Sequence, residues 1–217
     1  MNALSPREAY KLWAPRYGEE TAITTLDEKL ISALSPSTAG MRLLDAGCGT
    51  GRRLPRDAAL ATGVDLSPEM LAAGGASMVA AADVRALPFE DKCFDLIWCR
   101  LVLGHIADPT PAYRELARVC RTGGNLVITD FHADAANAGH RRSLRDLKGH
   151  VHDIEHHIHD DITHVVMARS SGWMLVAQQD AHIGPSVERF YTAAGRDTAY
   201  AKDTGLAVVA AFLFRRI

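Results

Sequence analysis

The stretch Leu43–Arg52, Leu-Leu-Asp-Ala-Gly-Cys-Gly-Thr-Gly-Arg, constrains this chain more than any other. An apolar run through Met41, Leu43 and Leu44 stops at Asp45, and glycine then takes alternate positions at Gly47, Gly49 and Gly51. That pattern is a buried strand entering a turn too tight for side chains, where main chain can approach a ligand closely. The spacing is G-x-G-x-G; a dinucleotide fingerprint needs glycine where Arg52 stands. A carboxylate at Asp45 repels a pyrophosphate and suits a ligand that carries an ammonium and a sulfonium.

Strand and helix patterns alternate around this turn. Later strands are expected at Ala61–Asp65, Met78–Asp83, Cys93–Cys99 and Asn125–Thr129, four apolar runs of which three end on or just before an acid. Between them come a short helix within Arg52–Leu60 that must accommodate Pro55, a helix opened by Ser67-Pro68, and a helix at Pro111–Arg121 stopped by Gly123-Gly124. Such alternation requires right-handed crossovers and builds a doubly wound parallel sheet, with ligands bound beyond the carboxyl ends of its strands. Asp45, Asp65, Asp83 and Asp130 are all expected on that rim. A strand at Trp173–Ala177, a helix at Ser186–Lys202 and a strand at Leu206–Arg215 complete a mostly parallel seven-stranded sheet with an antiparallel edge.

Two segments stand apart from this repeat. Before it, Ser5-Pro6 opens a helix carrying Tyr10, Trp13 and Tyr17, followed by an amphipathic helix at Ala22–Leu34. After it, Asp146–His159 has turn chemistry at Lys148-Gly149 between partly alternating residues and reads as an inserted hairpin. The expected organisation is one domain over 1–217: an N-terminal helical lid at 1–38, a ligand-binding half at 39–132, a cap insert at 133–160 and a C-terminal half at 161–217. A net charge of −2 gives no basic surface for nucleic acid, and no apolar run approaches a membrane span. The opening Met1–Pro6 lacks the charged-then-apolar order of a signal peptide. Together with four cysteines that show no metal-ligand spacing, this suggests reduced thiols and a cytoplasmic protein.

Four stretches in sequence, Leu43–Gly51, Gly63–Leu71, Ala82–Phe89 and Phe94–Ile97 running on to Leu101–Asp108, resemble the class I S-adenosylmethionine-dependent methyltransferases of the small-molecule, type 11 kind. The resemblance covers about residues 40–130 and implies a Rossmann-like fold, S-adenosylmethionine as cofactor and methyl transfer to a small molecule. It implies that main chain at Gly47, Cys48 and Gly49 meets the homocysteine portion, with Asp45 nearby. Asp65 then takes both ribose hydroxyls, Asp83 and the Val84 amide take adenine, Leu66 and Met70 pack on the adenine faces, and the Cys99 carbonyl holds the methionine ammonium. Trp13–Tyr17 is similar to a segment that folds over the cofactor, which assigns Tyr17 to the cofactor and Tyr10 and Trp13 to the acceptor. The plain alternative for each acid is a helix cap or turn residue.

Histidine is the abnormal count: eight of ten lie between His132 and His164. His105, after the fourth strand, and His132, after the fifth, are the candidate bases; the alternatives are a carbonyl-bonding helix residue and a turn residue. His140, Arg141, His150 and His152 are the candidate acceptor contacts in the insert. Its histidines and acids invite a metal, but no spacing matches a recognised site, so a polar substrate cap without metal is expected. A pH-sensitive lid is the third option, since imidazoles charge near neutrality. No nucleic-acid or membrane partner is expected, and the oligomeric state is left open between monomer and homodimer. The competing function is a regulatory or catalytically silent protein that keeps fold and cofactor, favoured by the abbreviated segment after Gly51.

Overall fold

The computed structural model describes residues 3–217; Met1 and Asn2, part of the leader reading, lie outside them. Strand β1 (Arg42–Ala46) is followed by β2 (Leu60–Asp65), helix α3 (Pro68–Gly74), β3 (Val79–Ala81), β4 (Phe94–Arg100), helix α4 (Thr110–Val119) and β5 (Cys120–Phe131), after N-terminal helices α1 (Pro6–Trp13) and α2 (Ala22–Leu34). The C-terminal part holds α5 (Ala133–Asn137), a hairpin of β6 (Ser143–Arg145) and β7 (Val151–Asp153), then α6 (Asp161–Ser170), β8 (Trp173–His182), α7 (Glu188–Ala193), α8 (Asp197–Asp203) and β9 (Ala207–Arg216). Seven strands form one sheet in the order β3-β2-β1-β4-β5-β9-β8. The first five run parallel, β9 is antiparallel to both its neighbours, and β8 closes the edge. This is the mostly parallel, doubly wound sheet that the sequence predicts.

The core follows from the strands' composition. Leu44, Ile97, Cys99, Leu126 and Ile128 point to one face, where they meet Tyr113, Leu116, Trp173 and Phe212. Leu43, Leu96, Trp98 and Val127 point to the other and meet Ile31 of α2. Burial on both faces explains why these strands are continuously apolar.

Several boundaries differ from expectation, each for a local reason. Residues 52–59 form turns rather than a helix. Pro55 removes a donor and bars helical geometry to Leu54, and the segment is instead held by Arg52 donating to the Gly18 carbonyl at 2.9 Å. Helix α4 stops at Val119 rather than at the glycine pair, because Cys120 is already extended and β5 pairs with β4 from Phe94–Cys120 onward. A register shift between Phe94 and Leu96 absorbs the glycine pair as an irregularity within the strand. The helix expected at Ser186–Lys202 is two helices, broken where Gly195 turns left-handed at φ 63°. The strand expected at Trp173–Ala177 runs on to His182, paired along its length with β9. The predicted hairpin exists but begins at Ser143, with its tip at residues 146–150.

The N-terminal region divides. Helix α1 begins with a full capping box, Ser5 and Glu8 bonding reciprocally, as Ser5-Pro6 predicts. It packs against the hairpin through Ala9, Leu144 and Ile154, and the chain before it adds Leu4 to Ile154 as a parallel bridge. The lid and the insert are thus one cap. Helix α2 instead packs Leu26, Leu30 and Leu34 against Phe131, Val208 and Val209, so of the predicted 1–38 lid only the first helix and its following turn belong to the cap.

Candidate active site

Between the cap and the carboxyl ends of β1, β2 and β4 lies a cavity of about 620 Å³, within the roughly 300–1,000 Å³ of small-molecule sites. Gly47, Gly49, Asp65, Leu66, Met70, Asp83 and Val84 line one side; Tyr10, Trp13, Tyr17, His105, His140, Arg141 and Arg142 line the other. Most of the residues singled out in the sequence as cofactor and lid contacts therefore meet at a single cavity.

The glycine turn is shaped by close approach. Gly47 has φ 87°, and a Cβ there would lie 2.1 Å from Val102 Cγ2. Gly49 has φ 59°, with Tyr17 Cε1 only 3.0 Å from where its Cβ would sit. Side chains are excluded here by geometry, and the turn's amides are held within the fold, Gly47 and Cys48 donating to the Val64 carbonyl at 2.7 and 2.9 Å. Asp65 ties this turn to the next one: Oδ2 accepts from the Gly49 amide at 2.8 Å and Oδ1 from the Ser67 amide at 2.9 Å. Each oxygen keeps a second lone pair, and burial pushes the carboxyl's pKa up from the ordinary value against these amide bonds.

Asp45, Cys48 and Cys99 do not line the cavity. Asp45 is buried beneath the turn, where burial raises its pKa to about 6, and its Oδ1 has no hydrogen-bond partner among the described residues. Cys48 and Cys99 are buried, and Cys99 sits inside β4. Asp83 faces the cavity but is gripped by Arg85, with Arg85 Nη2 2.5 Å from Asp83 Oδ2; that side-chain bond holds its carboxyl below the usual range. Arg85 was not anticipated, and its signal was only its place two residues after the acid.

The cap side is aromatic. Tyr10 stacks on Trp13 with centroids 5.9 Å apart, and Trp13 meets Tyr17 edge-on at 5.0 Å. Tyr10 Oη lies 2.9 Å from His105 Nε2, and His105 Nδ1 lies 3.3 Å from the Glu155 carbonyl. A carbonyl only accepts, so Nδ1 carries the proton and the Tyr10 hydroxyl donates to Nε2. Burial, with the Arg142 charge as a lesser cause, lowers the His105 pKa to about 4, so its imidazole is neutral at physiological pH.

The other candidate histidines stand elsewhere. His132, expected beside the acceptor, caps α5 by accepting the Asp134 amide at 3.0 Å, and its Nε2 lies 3.8 Å from Asp180. It is not a cavity residue, because β9 and β8 occupy the space it faces. His150 and His152, expected in the acceptor pocket, gather at the hairpin tip around Asp146 Oδ2 at 3.4 and 3.0 Å. The hairpin projects its base, not its tip, toward the cavity. His140 lines the cavity but pairs with Asp203 at 3.2 Å, and Arg141 pairs with Asp153 at 3.2 Å.

His156, by contrast, reaches inward to 3.8 Å from the buried Asp130, which also faces His164 at 3.5 Å. Asp130 is buried rather than on the open rim. Burial lowers the His156 pKa to about 3. A histidine with a depressed folded pKa contributes stability that is complete above its unfolded value of about 6.5 and is lost as pH falls toward the folded value. At pH 5 this costs about 2 kcal/mol for His156, with His105 acting in the same direction. Asp45, whose pKa is raised, acts in the opposite direction between about pH 6 and 4 and returns part of the loss. Denaturant unfolding should therefore show lower stability at pH 5 than at pH 7, and His156→Gln should reduce that difference. An equal pH dependence in both proteins would contradict a buried neutral His156.

Part of the chain is similar to known methyltransferases. Residues 44–128 match the family model described as a methyltransferase domain. Over 126 residues the chain is 35% identical to the 27-O-demethylrifamycin SV methyltransferase of Amycolatopsis mediterranei (strain S699), covering 52% of this chain and 46% of the relative. Over 137 residues it is 31% identical to the phosphatidylethanolamine N-methyltransferase of Cereibacter sphaeroides, covering 58% of this chain and 67% of the relative. The chain spans about half the length of the first curated relatives it matches. Its fold resembles the crystal structure of an S-adenosylmethionine-dependent methyltransferase from Mesorhizobium loti, with a TM-score of 0.65 at 21% identity, covering 87% of this chain and 96% of that one.

Proposed function

Because the chain belongs to the class I S-adenosylmethionine-dependent methyltransferase family, we propose that it moves the cofactor's methyl group to an oxygen, nitrogen or carbon of a small-molecule acceptor by direct displacement. The observation that carries this reading is Asp65, placed between the glycine cradle and the cavity with acceptor capacity to spare on both oxygens. The residues present fit the cofactor: main chain at Gly47 and Gly49 lines the cavity where a Cβ cannot stand, and Asp65 lines it with one lone pair left on each carboxylate oxygen. When bound, S-adenosylmethionine supplies an electrophilic methyl on a sulfonium, so the chain need not supply a nucleophile of its own.

The chain's contribution is binding, alignment and exclusion of water. Asp65 receives the ribose hydroxyls, and the Gly47 and Gly49 main chain receives the amino-acid portion. Asp83 and Val84 face adenine, with Asp83 steadied by Arg85. Tyr17 lies over the Gly49 turn on the cofactor's side, and Tyr10 and Trp13 hold the acceptor, where alignment alone is worth roughly 7–11 kcal/mol. His105 Nε2 is the proton acceptor for an O–H or N–H nucleophile, directly or through the Tyr10 hydroxyl bonded to it. Its low basicity suits a proton that becomes acidic only as the methyl group arrives.

A regulatory protein that binds the cofactor without transferring it is the second reading, favoured by the missing helix after Gly51. Both readings require binding. S-adenosylmethionine and S-adenosylhomocysteine should each raise the melting temperature, and NAD should not, since a ligand bound only to the native state stabilises it. Stabilisation by NAD and by neither sulfur compound would overturn the reading; binding without turnover across an acceptor library would select the second.

A further inference from the structure

The acceptor side of the cavity contains a cation that the protein does not neutralise. Of the arginines that line it, Arg85 is paired with Asp83 at 2.5 Å, Arg100 with Asp27 at 2.6 Å and Arg141 with Asp153 at 3.2 Å. Arg7 and Arg196 are exposed and are solvated by water. Arg142 differs from all of these. It is half-buried, and among the described residues no carboxylate comes within 4.0 Å of its guanidinium.

Its position is built rather than incidental. The Arg142 carbonyl accepts from the Ile154 amide at 2.9 Å, which fixes the base of the hairpin. Two residues on, Leu144 is buried against Ala9 and Ile154, so the same packing that seats α1 seats Arg142. The side chain lines the cavity with the Tyr10–His105 pair: burial pushes the Tyr10 hydroxyl up and the Arg142 charge holds it back, while the same charge adds to the lowering of the His105 imidazole. The acids that line the cavity, Asp65 and Asp83, belong to the opposite, glycine-turn side.

A guanidinium withdrawn from water without a counter-charge is unfavourable unless a ligand provides one. Its planar fork matches a carboxylate or a phosphate bidentately. From this geometry we infer that Arg142 anchors an anionic group, carboxylate or phosphate, on the methyl acceptor, holding the rest of that molecule against Tyr10 and His105. The inference rests on the methyl-transfer reading for the word acceptor, but the anion site stands on Arg142 itself. Asp65 and Asp83 direct the anionic end away from the glycine turn by repulsion. The cofactor's own carboxylate is the other source of the same chemistry, and the two are separable.

The test is calorimetric titration of the protein saturated with S-adenosylhomocysteine, using benzoate, phenyl phosphate and neutral benzamide as probes. At least one anion should bind about tenfold more tightly than benzamide, the scale of a charge-assisted bond. Arg142→Gln should abolish that preference and leave S-adenosylhomocysteine affinity within about twofold, and Arg142→Lys, which keeps charge but loses the fork, should fall between. Equal binding of all three probes, or an anion preference that survives in Arg142→Gln, overturns the proposal. So does a tenfold loss of S-adenosylhomocysteine affinity in Arg142→Gln, which would give the guanidinium to the cofactor's carboxylate. If S-adenosylhomocysteine does not bind the unaltered protein, the methyl-transfer reading falls, and the same probes on the unliganded protein still decide whether Arg142 is an anion site.

Discussion

Asp65→Ala is expected to lower S-adenosylhomocysteine affinity by about 100-fold or more while leaving a folded protein. The carboxylate is placed to take two hydroxyls, and bonds to a charged group are worth roughly 1.5–3 kcal/mol each. The same substitution also strips the Gly49 and Ser67 amides of their acceptor, so the glycine turn loses its tie to the end of β2. Asp65→Asn separates these effects. It restores one acceptor oxygen for an amide but offers no charge, and it should recover the melting temperature more fully than the affinity. Calorimetry with both variants checks this; an affinity within a few-fold of the unaltered protein for Asp65→Ala would remove Asp65 from the site.

Asp27→Ala should be the most damaging single change to stability, about 3–5 kcal/mol. Asp27 is fully buried on α2, where Oδ2 takes Arg100 Nη2 at 2.6 Å and Nε at 3.1 Å, and Oδ1 takes the Thr129 hydroxyl at 2.6 Å. Its removal leaves Arg100, itself buried at the end of β4, with only the half-exposed Glu28 at 2.8 Å. Most of the cost is that stranded charge rather than the lost pair. For a chain of this length the melting temperature should fall by roughly 10 °C, at about 2–4 °C per kcal/mol. A loss under about 1 kcal/mol in denaturant unfolding would show that water reaches Arg100 after all. Because Arg100 lines the cavity while Thr129 belongs to the core strand, this network also fixes α2 against the site.

Of the residues that the sequence assigned to the cofactor, Asp45, Cys48 and Cys99 do not line the cavity and the rest do, for a physical reason. Strand, turn and acid follow one another within a few residues there, so the pattern brings Gly47, Gly49, Asp65 and Asp83 to the strand ends, and the family resemblance added Val84. The capped starts of α1 and α3 were legible for the same reason, since a cap is satisfied within three residues. The misjudged boundaries are those where a distant partner outweighed local propensity. Helix α4 gives way to β5 at Cys120 because β4 lies beside it, and β8 runs past Ala177 because β9 does.

The cap side of the cavity was not decided by spacing. A histidine-rich insert signalled polarity but not direction, and eight histidines in one segment looked alike in one dimension. Tertiary packing sorted them: His156 turned inward, as the earlier His105 does, His132 became a helix cap, and His150 and His152 closed around Asp146. The adjacent Arg141 and Arg142 were equivalent on paper; one found Asp153 and the other did not. Arg142, unpaired among the described residues, and the buried Asp27–Arg100 pair share an origin. Each depends on which charges across the fold come within reach, and Coulomb energy at a few ångströms is a property of distance in space, not along the chain. The sequence by itself determined the apolar strands and the glycine-turn rim; only the folded cap determined which side chains face the cavity from the other side.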